Sequence, residues 1–286
     1  MEVVIQANTD AATELVARIV AREVQTNPRP VLGLATGRTM ESVYARMVQM
    51  HRKEGLDFSA CRTFNLDEYV GLPGNDGHAY RHYMNHHLVR QVNIALRNTH
   101  LPDGTAANLE AECERYEGLI DQAGGITLQL LGIGHSGHIG FNEPLSAFRS
   151  RTRVVALAPT TIRQNAPIFG RADKVPRSAI TMGVGTILDG RRCVLLATGE
   201  DKAEIIARAV EGPLTSMISA SALQLHPDCT VVLDEAAAGR LKKSDYYRWI
   251  YTSEPKWDWF RKLPPVVIGS GRNTSSLEDC RLEPAP

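Results

Sequence analysis

The sequence lacks every cysteine pattern that would build a disulfide framework. Its five cysteines, Cys61, Cys113, Cys193, Cys229 and Cys280, stand singly with no C-x-x-C pair, which fits a reducing compartment. It also lacks a surplus of charge: 32 basic and 32 acidic residues cancel. No global field therefore draws it to nucleic acid, a membrane surface or a polyanion, and an anionic ligand has to be held by a local site. No apolar stretch approaches membrane-spanning length, and the opening Met1-Glu2-Val3-Val4 has no basic segment ahead of an apolar one. The expectation is a cytoplasmic protein with neither membrane nor nucleic acid as partner. Internal repeats and low-complexity linkers are missing too. What remains is 286 residues, 43% of them hydrophobic, enough for a packed globular core.

Short apolar runs alternate with amphipathic ones. Val3 to Ile5, Val31 to Leu34, Arg62 to Leu66, Ile126 to Leu131, Val154 to Leu157, Ser178 to Met182, Cys193 to Ala197 and Cys229 to Leu233 read as strands. Asp10 to Gln25, Met40 to Lys53, Ala79 to Val89, Asn108 to Gln122 and Asp201 to Val210 read as helices. The alternation predicts an α/β fold: an open, mostly parallel sheet with helices on both faces and ligands beyond the carboxyl ends of its strands. Composition shifts after about Leu241, where Tyr246, Tyr247, Trp249, Tyr251, Trp257, Trp259 and Phe260 gather. The expected organisation is a single α/β domain over residues 1–251 and an aromatic, then polar, extension over 252–286. That extension reads either as an arm packed on its own domain or as a subunit contact in a homo-oligomer. The polar stretch after Pro264 is expected to be poorly ordered.

The richest stretch is Ile126 to Pro144, where a buried strand opens into glycines that bring polar groups close to a ligand and present His138 and Glu143. Gly132, Gly134 and Gly137 spell a dinucleotide fingerprint, but Gly140 and Pro144 break the helix it requires, and no acidic residue follows at the right distance. Ser136 is not in a nucleophile elbow, because glycine follows it at once. An imidazole and a carboxylate five residues apart remain, a spacing that permits a histidine oriented by a carboxylate. Asp67 and Glu68 emerge at the end of another strand, and either is a general base if burial raises its pKa. Val31 to Thr39 carries a strand through a glycine turn into a helix. That turn is an ordinary capped one or an anion site built from free N–H groups and the hydroxyls of Thr36 and Thr39. Lys202 opens a second turn of the same kind and can meet a phosphate as a point charge. His78, His82 and His86 fall on one helical face; without a glutamate in the zinc-binding pattern they read as a polar face, not a metal site.

Taken jointly, T-F-N-L-D-E-Y-V-G-L, G-H-I-G-F-N-E-P, S-R-T-R-V, T-M-G-V-G-T-I-L-D and L-Q-L-H-P resemble the glucosamine-6-phosphate deaminase (isomerase) family from about Val3 to Tyr251. The resemblance implies an isomerising deaminase acting on an amino-sugar phosphate, without metal or organic cofactor. It makes Asp67 the enolising base, His138 the residue that assists ring opening and Glu143 the carboxylate that orients it. It puts the phosphate at Thr36, Gly37, Arg38 and Thr39, with Lys202 supplying charge. Ser136 stands where the family's loop, G-x-D-G-H, has an aspartate. The lid pattern D-T-I-x-A-N-A-R-F-F appears as Thr160 to Phe169 with Pro167 in place of a phosphate-binding arginine. Arg38 stands where glycine is usual, and it either replaces the lost lid charge or obstructs the pocket. Ser146 and Arg153 match parts of an allosteric site of some members, but Val155 stands where those carry lysine, so allosteric activation is not implied. The departures keep two alternatives open: a sugar-phosphate-binding or regulatory homologue, and a lactonase like the related 6-phosphogluconolactonases.

Overall fold

The computed structural model describes residues 1–262. The polar stretch after Pro264 and Cys280 lie outside the described residues. In chain order the strands are β1 (Glu2–Gln6), β2 (Val31–Leu34), β3 (Arg62–Asn65), β4 (Asp67–Tyr69), β5 (Thr99–His100), β6 (Leu128–Leu131), β7 (Arg153–Ala156), β8 (Ser178–Thr181), β9 (Cys193–Ala197) and β10 (Cys229–Asp234). The helices are α1 (Thr9–Thr26), α2 (Arg38–Glu54), α3 (Tyr80–Met84, continued by one wide turn to Val89), α4 (Leu109–Gln122), α5 (Pro159–Phe169), α6 (Val184–Leu188), α7 (Ala203–Val210), α8 (Ser244–Ser253) and α9 (Asp258–Arg261).

Seven strands form one parallel sheet in the order β1-β10-β9-β6-β2-β3-β5. Every residue of β2, β6, β9 and β10 is buried, which is why these strands read as unbroken apolar runs without alternation. The helices cover the sheet with one apolar stripe each. On α1, for example, Ala12, Leu15, Val16, Ile19 and Val20 are buried at helical spacing. Asn8 caps its start by accepting from the Ala11 N–H at 2.9 Å. The order places β9, β6, β2 and β3 side by side, so the segments leaving their carboxyl ends converge on one rim. Those segments are the Lys202 turn, the Gly132–Pro144 loop, the Gly37 turn and Asp67.

Val154–Leu157 and Ser178–Met182 do not join the parallel sheet as the alternation predicted. With Asp67–Tyr69 they form a separate antiparallel sheet, β4-β8-β7. Residues of β7 alternate between half-buried and exposed, the mark of a strand with one solvated face. This small sheet sits on a second apolar cluster, of Tyr69, Phe141, Leu157, Phe169, Val175 and Ala179. Phe169, at the end of α5, anchors that helix over it by an edge-on contact with Tyr69, ring centroids 5.4 Å apart.

Of the aromatic extension, Trp257 and Phe260 are buried in the main core, whereas Tyr246, Trp249 and Trp259 are exposed. α8 packs against β1. Cys61, Cys113, Cys193 and Cys229 are free and buried. Helix α3 begins at Tyr80, so His78 falls outside the helical face predicted for it. It pairs instead with Asp76 at 2.9 Å and stacks on Phe169 at 4.6 Å. Among the described residues no group of three or more histidine, cysteine or acidic side chains is placed to hold a metal, and no helix is long and apolar enough to cross a membrane.

Candidate active site

The Asp67-Glu68 pair separates into two roles. The Glu68 carboxylate accepts the N–H groups of Tyr69, Tyr80 and Arg81 at 2.9, 2.9 and 2.8 Å. It caps the first turn of α3 and has little freedom for proton transfer. Asp67 is buried, and that desolvation, with the neighbouring Glu68 charge second, pushes its carboxyl up to about 8. A carboxyl shifted this far is poised to exchange protons near neutrality, as a general base has to be.

The loop after β6 brings the imidazole to the same place. Gly140, at φ 57°, lies so close to Asp67 that a Cβ there would stand 3.4 Å from Oδ2 and 2.9 Å from Thr181 Oγ1. Only glycine accepts both that backbone and that neighbour. Asn142 braces the turn: its Nδ2 donates to the carbonyls of Ile139 and Met182 at 3.0 and 2.8 Å, and its Oδ1 accepts from Arg153 Nη1 at 2.9 Å. Arg153 also donates to Ser146 Oγ at 2.9 Å. The residues matching parts of an allosteric site are thus together, and Arg153 is engaged in holding the loop.

His138 Nδ1 lies 2.7 Å from Ser136 Oγ and 3.3 Å from Glu143 Oε2. The well-aligned hydrogen bond goes to the hydroxyl; Glu143 Oε2 has no other partner among the described residues and faces the ring mainly as a charge. Glu143 Oε1 accepts from the Thr161 hydroxyl and, at 3.3 Å, from the Ala158 N–H, both at the start of α5. Burial acts to raise this carboxyl, but the contacts from His138 and Thr161 outweigh it and hold Glu143 below the usual range. A permanent anion therefore sits beside His138, its charge further favoured by the amino end of α5. Thr161 escaped the sequence reading. Its signal, Pro159-Thr160-Thr161 opening a helix, shows a helix start but not the carboxylate that start holds.

The second half of the site is an open rim. Gly37, at φ 112°, precedes α2, whose first N–H groups receive no side-chain cap; Gly37 and Arg38 are exposed, and Thr36 and Thr39 are half-buried. Lys202 is held below its ordinary value by burial, opposed by Asp201 and assisted by the positive charge of Arg38. Two cations thus act on each other across two turns. In α5, Pro167 has no N–H for the Arg163 carbonyl and loosens the last turn of this lid helix.

The sequence model described as glucosamine-6-phosphate isomerases/6-phosphogluconolactonase matches residues 5–232. The chain belongs to this family. Within the family it is similar to the glucosamine-6-phosphate deaminase of Arthrobacter sp. (strain FB24), 46% identical over 90% of this chain and 99% of that one. It is 48% identical to the glucosamine-6-phosphate deaminase of Bacillus velezensis over 84% and 99% of the two chains. Among solved structures of the family, a monomeric glucosamine-6-phosphate deaminase superposes with a TM-score of 0.82 at 43% identity, covering 84% of this chain and all of that one. The 6-phosphogluconolactonase of Trypanosoma brucei shares the fold, with a TM-score of 0.65 at 20% identity over 84% of this chain and 98% of its own. That likeness shows fold alone, so the lactonase alternative draws no chemistry from it.

Proposed function

We propose that the protein is an isomerising deaminase that converts an amino-sugar phosphate of the glucosamine-6-phosphate class to a ketose phosphate and ammonia. The observation that carries this is Asp67. It is a buried carboxyl raised to about 8 and pressed against the Gly140 backbone of the loop that presents His138. Moving a proton between adjacent carbons needs one positioned carboxylate of this kind.

His138, with Nδ1 anchored by Ser136 and Glu143, offers Nε2 to the ring oxygen; protonating that oxygen as the C1–O bond breaks opens the sugar. Asp67 in its ionised form removes the proton from C2 and returns it to C1. The nitrogen-bearing C2 thereby becomes an imine carbon, and water adds there and expels ammonia, leaving the ketose. Glu143 stabilises the imidazolium formed in these steps by its charge. In this reading the phosphate is held by Thr36, Gly37, Arg38 and Thr39 with Lys202, an anchor that would fix C1 and C2 relative to Asp67. Incubation with glucosamine, galactosamine and their 6-phosphates, with ammonium and ketose both assayed, tests the reading. The 6-phosphates are expected to release ammonium and yield ketose; no ammonium from any of the four overturns the proposal.

A further inference from the structure

Asp201 is an unfavourable neighbour for a phosphate seat, since its carboxylate adjoins the lysine meant to receive the phosphate. Its Oδ2 stands 3.8 Å from Lys202 Nζ. The same oxygen lies 2.9 Å from His135 Nε2, and on the other side of that ring Nδ1 lies 2.7 Å from Gln164 Nε2. The three residues come from separate segments: the turn after β9, the loop after β6, and the lid helix α5.

One neutral tautomer satisfies both contacts. The Gln164 amide donates to Nδ1, so the ring proton is on Nε2 and is donated to Asp201. Gln164 also follows Thr161 by three residues, which puts both on one face of α5. Thr161 donates to Glu143, so the docked helix touches the catalytic carboxylate with one residue and the phosphate rim with the other.

We propose that His135 is a positioning residue: it holds the Asp201 carboxylate at 3.8 Å from Lys202, beyond hydrogen-bond distance, so that the ammonium can turn to the substrate's phosphate, and through Gln164 it ties α5 to that rim. The proposal rests on the reading of Lys202 as a phosphate ligand. Asp201 is held below the usual carboxylate range, with the hydrogen bond from His135 as the largest cause, so the pair is made with a charged carboxylate. His135 and Asp201 are both about half exposed, at 49% and 59% of their side-chain surface, so their contact contributes little to folding stability. Its loss is to be read in substrate affinity.

The test is steady-state kinetics with glucosamine 6-phosphate. His135→Ala is expected to raise KM about fivefold to tenfold with kcat within about twofold and an unchanged unfolding midpoint. His135→Gln, whose amide can donate to Asp201 and accept from Gln164, is expected to restore most of the affinity. In an Asp201→Asn background His135→Ala is expected to have a smaller effect, because the competing charge is gone and only the Gln164 contact remains to be lost. An unchanged KM in His135→Ala overturns the proposal, as does an undiminished effect in the Asp201→Asn background. Lys202→Ala separates the two levels. If it leaves KM unaltered, the phosphate reading fails; if it raises KM while His135→Ala is silent, only the role of His135 fails. Should turnover be too slow to measure, calorimetric binding of the same sugar phosphate to the same variants gives the same comparison.

Discussion

The proposed catalytic corner and the proposed phosphate rim lie at the ends of neighbouring strands and differ in how their charges meet solvent. In the corner Asp67 is 6% exposed, and His138 and Glu143 show 11% and 13% of their side chains. Charge there is expensive, so small changes in partner decide protonation. At the rim Arg38 is exposed and Asp201 shows 59% of its side chain, so their charges are screened, while Lys202 shows only 16%. This accounts for where the chain departs from its family's pattern. The rim has exchanged glycine for Arg38 and arginine for Pro167. The corner keeps Asp67, His138 and Glu143 and admits one change, Ser136, which retains a hydrogen bond to the imidazole without the charge.

The contrast is broken most directly at Asp67. Asp67→Asn is expected to lower kcat by about a thousandfold while the fold persists. Removing a buried ionisable group also changes stability in a definite direction. The wild-type carboxyl titrates at about 8 when folded and near about 4 when unfolded. Its contribution is therefore fully present below about pH 4 and is lost as pH rises through about 8. Unfolding midpoints between pH 5 and 8.5, on the order of the range spanned by these two values, should show the asparagine variant gaining on wild type as pH increases. A constant gap would mean that Asp67 is ionised throughout and that the corner is wet. By the same titration, kcat/KM of the wild type is expected to rise with pH toward about 8.

At the rim the loss should be smaller and fall on affinity. Lys202→Ala is expected to raise KM about tenfold to a hundredfold with little change in kcat, and added salt should weaken wild-type binding in the same sense. A fall in kcat as large as that in KM would place Lys202 with the chemistry and erase the distinction. Ser136→Asp carries a rim-like tolerance into the corner. With a second carboxylate beside Nδ1, kcat should increase about threefold to tenfold; a flat or reduced rate would show that the hydroxyl already does what the charge would do. The smallest effect is expected outside both regions. Leu145 holds φ 75° with 74% of its surface exposed, a left-handed conformation that costs a branched residue about 1 kcal/mol. Leu145→Gly should raise the unfolding midpoint by about one degree, because glycine's greater freedom when unfolded offsets part of the relief, and should leave kcat and KM alone.

Much of this was legible before any coordinates. The apolar runs of β6, β9 and β10 declared buried parallel strands because both faces of such strands are covered. The glycine-rich loop declared a backbone free for close approach, and Gly140 makes such an approach to Asp67. Asp67, His138 and Glu143 could be singled out by residue type and by family pattern. The antiparallel direction of β7 and β8 was hidden, because a short apolar run carries no sign of which neighbour it will pair with. Asp67 and Glu68 were equivalent candidates as adjacent letters.

The sequence by itself determined the class of fold, the loops that carry chemistry and the inventory of groups in them, because these follow from local periodicity, glycine placement and residue type. Only the tertiary structure decided what each group does. Glu68 is consumed by three N–H groups, that of Tyr69 and those of Tyr80 and Arg81 in α3, whereas no such donor offsets the desolvation of Asp67. Glu143 is kept charged by a helix start more than a dozen residues further along the chain. His135, Asp201 and Gln164 meet although 66 and 29 residues separate His135 from its partners. A protonation state and a hydrogen-bond partner depend on the surroundings in space, and those surroundings are assembled only when β9, β6, β2 and β3 come to lie side by side.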